Sequence, residues 1–219
     1  MNITNDKVTE YIDSLYRPLT PELAELREKA ESENVPIILK DAETFLLNII
    51  RLKKPKRILE IGAAVGYSSS CFATASECAE IVTVEYNEET YKTAIANIER
   101  LGLSDRIKVH LGDGSEVVEK LFVEGCEPFD MVFIDASKSH YKRFWDSALK
   151  LCNKDSIIIC DNILMRAMTV SDEYDTHGKH KTNIRKMREF VEYINDLEYC
   201  YTSVLPIGDG IAISVLNRL

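Results

Sequence analysis

A doubly wound, mostly parallel α/β sheet of Rossmann type is the fold this sequence predicts, on two observations. From residue 57 onward short apolar runs alternate with helical stretches: "RILEIG", "EIVTVEY", "RIKVHLGD", "FDMVFIDA" and "SIIICDN". Strands apolar along nearly their whole length and separated by helices belong to a parallel sheet covered on both faces. The tail is the second observation. "EYCYTSVLPIGDGIAISVLNRL" reads as two strands split by a "PIGDG" turn, an antiparallel hairpin at the sheet edge.

Three helical segments, near 4–16, 20–33 and 41–52, come before the first strand. The second opens "LTPEL", with Thr20 as N-cap, Pro21 at the first helical position and Glu22 and Glu25 close behind. Between the strands, helices are expected near 66–77, 88–101, 114–124 and 139–152, and a last one near 182–196. Five βα units and a hairpin make seven strands. The 219 residues contain no internal repeat and no Pro/Gly-rich linker, so 1–219 reads as a single domain, with a helical cap (1–52) on a Rossmann-like core (57–219).

Hydrophobic residues at 45% and charged residues at 29% are ordinary globular composition. No apolar run approaches the roughly 20 residues a membrane helix needs, so no membrane association is expected. The start, "MNITNDKVTEYIDSLY", lacks the basic and apolar regions of a secretory signal. Cysteines 71, 78, 126, 152, 160 and 200 show no CxxC spacing and read as buried thiols of a reducing compartment. A cytoplasmic protein is the expectation. The net charge of −9, from 27 basic and 36 acidic residues, argues against general adhesion to nucleic acid but leaves room for a local basic patch.

In open parallel sheets, ligands sit beyond the carboxyl ends of the strands. There this sequence puts Glu60–Gly62, Glu85, Asp113, Asp135 and Asp161–Asn162. Gly62 and Gly66 let the backbone turn tightly and let a ligand come close. Ala64 stands where a dinucleotide-binding loop has its second glycine, so a ligand without a pyrophosphate fits better. Glu85, 23 residues after Gly62, can accept both hydroxyls of a ribose, and Asp113 can accept from an exocyclic amine. A ribose and an adenine without phosphates suggest S-adenosylmethionine.

Asp135 ends one strand and Asp161–Asn162 the next, 26 residues later with one helix between. Such strands usually lie side by side, about 4.8 Å apart, so three oxygen donors converge. An all-oxygen set suits a hard cation such as Mg²⁺ or another divalent ion, with positions left open. Lys138, three residues past Asp135 at a helix start, reads by itself as a solvated charge, and beside such a cation it would suit a general base. His140 and Tyr141 read as packing or rim residues, and His110, inside a strand, as structural.

Taken together, "ILEIGAAVGYSS", "TVEYN", "GDG", "FIDASKSHY" and "CDN" resemble the metal-dependent O-methyltransferases of catechol and caffeoyl-CoA type, over roughly residues 35–219. Among small bacterial members the chain looks most like the tRNA 5-hydroxyuridine methyltransferases, which make 5-methoxyuridine at the wobble position. The resemblance implies a class I methyltransferase fold and a homodimer, with the N-terminal helices as candidate interface. It puts Ile38, Ser68, Glu85, Asp113 and Asp135 in the S-adenosylmethionine pocket, with Glu60, Gly62 and Gly66 beside them. It assigns Asp135, Asp161 and Asn162 to Mg²⁺ and catalysis to Lys138.

Metal chelation of the acceptor demands two adjacent oxygens, as in a catechol or the O4/O5 pair of 5-hydroxyuridine. The stretch "HGKHKTNIRKMR", 177–188, bears on that choice: Lys179, Lys181, Arg185, Lys186 and Arg188 lie in it without an acid. It is either a solvated helix face or, with Arg166, a strip that contacts the phosphates of a tRNA substrate. Lys53, Lys54, Lys56 and Arg57 form a second basic cluster.

Overall fold

The computed structural model describes residues 5–217. Three helices, α1 (Asp6–Ser14), α2 (Pro21–Ser32) and α3 (Lys40–Lys53), precede the first strand, as expected; the predicted start of the first at residue 4 lies outside the described residues. Thr20 caps α2 by accepting from the Leu23 amide at 3.2 Å, with Pro21 in the first turn, where its missing N–H costs nothing. Lys54 stops α3 by turning left-handed at φ 51°.

The core then alternates: β1 (Arg57–Ile61), α4 (Tyr67–Ala75), β2 (Glu80–Glu85), α5 (Glu88–Arg100), β3 (Ile107–Leu111), α6 (Gly114–Val123), β4 (Phe129–Ile134), α7 (Tyr141–Leu149) and β5 (Cys152–Cys160). After α8 (Lys181–Asn195) come β6 (Cys200–Leu205) and β7 (Ile211–Leu216). The seven strands form one sheet in the order β3-β2-β1-β4-β5-β7-β6. Strands β1 to β5 are parallel, and the last strand slips antiparallel between β5 and β6.

Period-two alternation gives each sheet face its own core. Leu59, Ile61, Val132, Ile134 and Ile158 face Trp145, Phe144 and Phe190 of α7 and α8. Ile58, Met131, Phe133, Ile157 and Ile159 face Leu46, Ile50 and Phe72 of α3 and α4. The sheet is thus sandwiched between two helical layers, the cap being part of one of them. One boundary differs from the sequence reading. Helix α7 ends at Leu149 rather than near 152, and β5 opens at Cys152. Lys150 and Leu151 close the helix with tight-turn bonds, Asp155 turns left-handed at φ 68°, and the β4–β5 register shifts between Phe129 and Met131.

Strand order reverses between β1 and β4, and this is where a doubly wound sheet opens a crevice at its carboxyl edge. Among the described residues no helix is long and apolar enough to cross a membrane. All six cysteines are free; Cys78 is exposed and Cys126 half-exposed, so only the other four are the buried thiols expected.

Candidate active site

A cavity of about 730 Å³ opens at the switch point between β1 and β4. Its walls come from the ends of five strands and from residues 36–38 of the cap. Gly62, Glu85, Asp113, Asp135, Lys138 and Asn162 all line it, together with Ile38, Tyr67, Ser68, His140 and Phe144.

The glycines of the first turn serve the chain more than a ligand. A Cβ on Gly62 (φ 107°) would stand 2.0 Å from the Asp135 carbonyl oxygen. One on Gly66 (φ 78°) would press on Ile98 and the Ala94 carbonyl of α5 at 3.2–3.3 Å. Gly62 reaches the cavity wall, while Gly66 lies behind it as the N-cap of α4.

Glu60 does not line the cavity. It is fully buried in β1, and its two oxygens accept from Ser68 and Thr83 at 2.5 Å each. Burial pushes its carboxyl up to about 7, against the pull of those two hydroxyl donors. Ser68 is on the cavity wall with its hydroxyl committed to Glu60. Glu85 folds its carboxylate over the turn, accepting from the Ala64 amide at 2.9 Å and the Asn87 amide at 2.8 Å. Asp113 caps α6 through the amides of Ser115 and Glu116 and pairs with Arg143 at 2.5 Å. Both Glu85 oxygens and Asp113 Oδ2 accept one bond each, so a ligand hydroxyl or amine can still bond there; Asp113 Oδ1 is taken by the two amides.

At the cavity mouth Lys138 begins a single short turn (Lys138–His140) ahead of α7. Its ammonium lies 2.6 Å from Asn162 Oδ1, 3.2 Å from Asp135 Oδ1 and 3.0 Å from the Tyr141 hydroxyl. Tyr141 is buried and donates in turn to the Asp161 carbonyl at 2.8 Å. Asp161 is 1% exposed; one of its carboxylate oxygens accepts from the Asn162 amide at 2.6 Å and the other, Oδ2, is buried without a partner. Burial, reinforced by the Asp135 charge, raises its carboxyl well above the usual range.

Asp135 and Asn162 converge on the Lys138 ammonium, and the adjoining Asp161, itself off the cavity wall, adds an orphaned buried carboxylate oxygen. Two carboxylates and an amide oxygen are a donor set that suits a hard divalent ion. Among the described residues no trio of His, Cys, Asp and Glu alone converges; the third donor of this set is the Asn162 amide. The pairing of strand ends predicted from the 26-residue spacing is present, since β4 and β5 are adjacent with Ile134 opposite Cys160.

Two participants escaped the sequence reading. By sequence Tyr141 is a packing or rim residue, yet its hydroxyl joins Lys138 to the Asp161 carbonyl. Asp209, in the β6–β7 turn, accepts from the Arg166 amide; burial raises its carboxyl, the Arg166 amide and the Lys138 charge pull it back, and the Asp135 charge adds to the rise. The "PIGDG" pattern signals only a turn; what brings Asp209 here is the insertion of β7 beside β5.

A profile of the O-methyltransferase family matches residues 13–217. The chain belongs to that family. Caffeoyl-CoA O-methyltransferase 1 of Zea mays is 31% identical over 96% of this chain and 85% of its own length. A catechol O-methyltransferase of Niastella koreensis is 35% identical over a shorter stretch, 60% of each chain. The crystal structure of an O-methyltransferase from Bacillus cereus in complex with SAH superposes with a TM-score of 0.83 at 29% identity, covering 96% of this chain and 97% of that one.

In an O-methyltransferase the surface around the mouth selects the acceptor. Helix α8 packs against the Lys138–His140 turn, where Lys186 donates to the Ser139 carbonyl at 3.4 Å. Lys179, Lys181 and Arg185 are exposed at and just before the start of α8, and Arg166 is exposed on the loop that follows Asn162. The 177–188 strip is less uniform than its sequence suggests. Arg185 pairs with Glu189 at 2.8 Å, and Arg188 turns back onto the Thr169 and Met168 carbonyls and Asp172. Lys53, Lys56 and Arg57 lie at the opposite, N-terminal edge of the strands, bonded to Asp155, Asp130 and Glu80. That second cluster cannot share a substrate contact with the strip.

Proposed function

We propose that this O-methyltransferase uses S-adenosylmethionine and a divalent cation, Mg²⁺ in the first instance, to methylate 5-hydroxyuridine at the wobble position of tRNA. The observation that carries the chemistry is the cluster of Lys138, Asp135 and Asn162 at the cavity mouth, with the unpartnered Asp161 Oδ2 beside it. S-adenosylmethionine is supported by the shape of the crevice at the strand switch point and by the SAH-bound relative. Glu85 and Asp113 have acceptor sites for its ribose and adenine, and Ile38 packs against the same cavity.

Asp135, Asp161 and Asn162 would hold the metal, which when bound acidifies a hydroxyl of a vicinal oxygen pair. Lys138, already within hydrogen-bond reach of two of those residues, takes the hydroxyl proton. Asn162, Asp135 and Tyr141 hold the Lys138 amine at that spot, and Tyr141 is itself fixed by the Asp161 carbonyl. The chain's contribution is therefore deprotonation and alignment of the acceptor oxygen with the sulfonium methyl.

The tRNA substrate is supported by Lys179, Lys181 and Arg166, exposed cations on the loop after Asn162 and at the start of the helix that packs on the Lys138–His140 turn, in a protein whose net charge is −9. A small catechol or hydroxycinnamoyl substrate is the second reading, favoured by the names of the plant and Niastella relatives. The deciding experiment incubates the protein with labelled S-adenosylmethionine, Mg²⁺ and tRNA lacking the wobble methyl, in parallel with a simple catechol, and digests the RNA to nucleosides. Label in 5-methoxyuridine supports the first reading; label only in the catechol replaces it with the second.

As partner for the cap we propose a second copy of this chain. Helix α1 buries none of its residues, and Val8, Tyr11, Ile12 and Leu15 stand exposed at helical spacing. Sedimentation as a monomer removes the homodimer.

A further inference from the structure

Arg27 of α2 and Glu43 of α3 are 4% and 0% exposed, yet neither lies on the cavity wall. They form an ion pair at 2.6 Å at the centre of a wider set of bonds. The guanidinium also donates to the Ile38 carbonyl at 2.8 Å and to the Tyr67 hydroxyl at 3.0 Å. Glu43 accepts from Tyr67 at 2.7 Å and from Tyr16 at 2.8 Å, and Arg27 lies over both rings.

Two of the groups held this way belong to the cavity. Tyr67 lines it from α4, and residues 36–38 form the wall contributed by the cap. Among the described residues, the Arg27–Ile38 contact is the one hydrogen bond made by the backbone of 36–38. Pro36 has no N–H to offer, so this segment has little else to fix it. Burying an ion pair brings little net stability over an apolar pair of the same volume, because desolvation offsets the attraction. What the pair does provide is a planar fork aimed at four acceptors at once, the fourth being the half-exposed Glu31 carboxylate at 2.9 Å.

We infer that Arg27, oriented by Glu43, is a positioning residue for the cofactor: it fixes the 36–38 wall and Tyr67, so that the helical cap sets cofactor affinity. The inference rests on the S-adenosylmethionine reading of the cavity.

Calorimetric titration of the full chain with SAH tests both and separates them. In Arg27→Lys the cation facing Glu43 is kept, but one ammonium cannot reproduce the fork, and Kd should rise about tenfold. A merely structural role would lower the melting temperature and leave Kd as it was, and that result overturns the inference. Ile194→Val, a core change in α8 away from the cavity, should lower the melting temperature without moving Kd. If Arg27→Lys does not fold, Tyr16→Phe serves: it removes the bonds of the Tyr16 hydroxyl to Glu43 and to Tyr67, and no cavity atom, and should raise Kd about threefold. An unchanged Kd there overturns the inference as well. Failure of the unsubstituted protein to bind SAH overturns the cofactor reading and this inference with it, whereas normal binding with indifferent variants overturns this inference alone.

Discussion

Two buried or half-buried ionisable side chains carry opposite duties. Glu60 is sealed in β1 with a carboxyl at about 7, raised from an ordinary 4.5. Because the folded state holds the proton more tightly than the unfolded chain, its contribution to stability is complete below about pH 4.5 and is lost as pH rises through 7. Relative to Glu60→Gln, which cannot titrate, the native protein should therefore lose about 3 kcal/mol between pH 4.5 and 8. Urea unfolding of both proteins across that range measures it, and parallel pH profiles would exclude a proton on Glu60. Lys138, in contrast, lines the cavity, and the role proposed for it is in chemistry rather than stability. Lys138→Ala should keep SAH and tRNA binding and lose methyl transfer by roughly 10²–10⁴-fold, the range for a lost general base. A variant that transfers methyl at the normal rate assigns the proton elsewhere.

At the scale of elements, the strand–turn–helix units were legible because their signals are local. Apolar runs, the Thr20 cap with Pro21, and acids at the strand ends each depend on a few neighbouring residues. The two participants that were missed depend on distant ones. Asp209 reaches the site only because β7 inserts between β5 and β6, and the role of the Tyr141 hydroxyl depends on where β5 carries Asp161. The opening glycines show a different gap: their positions were marked, but the sequence pointed to a ligand as the reason. In the fold, Gly62 is required by the neighbouring strand end, where a Cβ would overlap the Asp135 carbonyl at 2.0 Å. Gly62→Ala should accordingly cost about 3 kcal/mol or more, combining left-handed strain with overpacking. Gly102→Ala is the matched comparison, since Gly102 has φ 68° but nothing within 4 Å of its added Cβ. It should cost only the strain, about 1 kcal/mol. Equal losses in thermal unfolding would mean that the Asp135 strand end yields freely, and would weaken the view that Gly62 fixes it.

For the whole molecule, the proposed tRNA substrate raises the question of how a protein of net charge −9 would hold a polyanion. A local positive strip can do so when salt screens the distant negative surface, since charges more than about 8–10 Å apart interact weakly at physiological ionic strength. The strip available is smaller than its composition suggests. Lys179 and Lys181 are exposed, Arg185 shares its charge with Glu189, and Arg188 is bonded back to the chain. Substituting Lys179, Lys181 and Arg185 together by Ala should therefore weaken tRNA binding and flatten its log–log salt dependence by about two units rather than three. The same triple variant should bind SAH normally and methylate a free catechol as well as the unsubstituted protein does, because the cavity residues are untouched. EDTA should show the complementary pattern, stopping transfer to either acceptor and leaving SAH binding in place, because Glu85 and Asp113 need no metal. Filter binding of tRNA at several salt concentrations reads the slope. A triple variant with native affinity and slope makes the strip a solvated helix face, and the small-molecule acceptor then becomes the better account of the site.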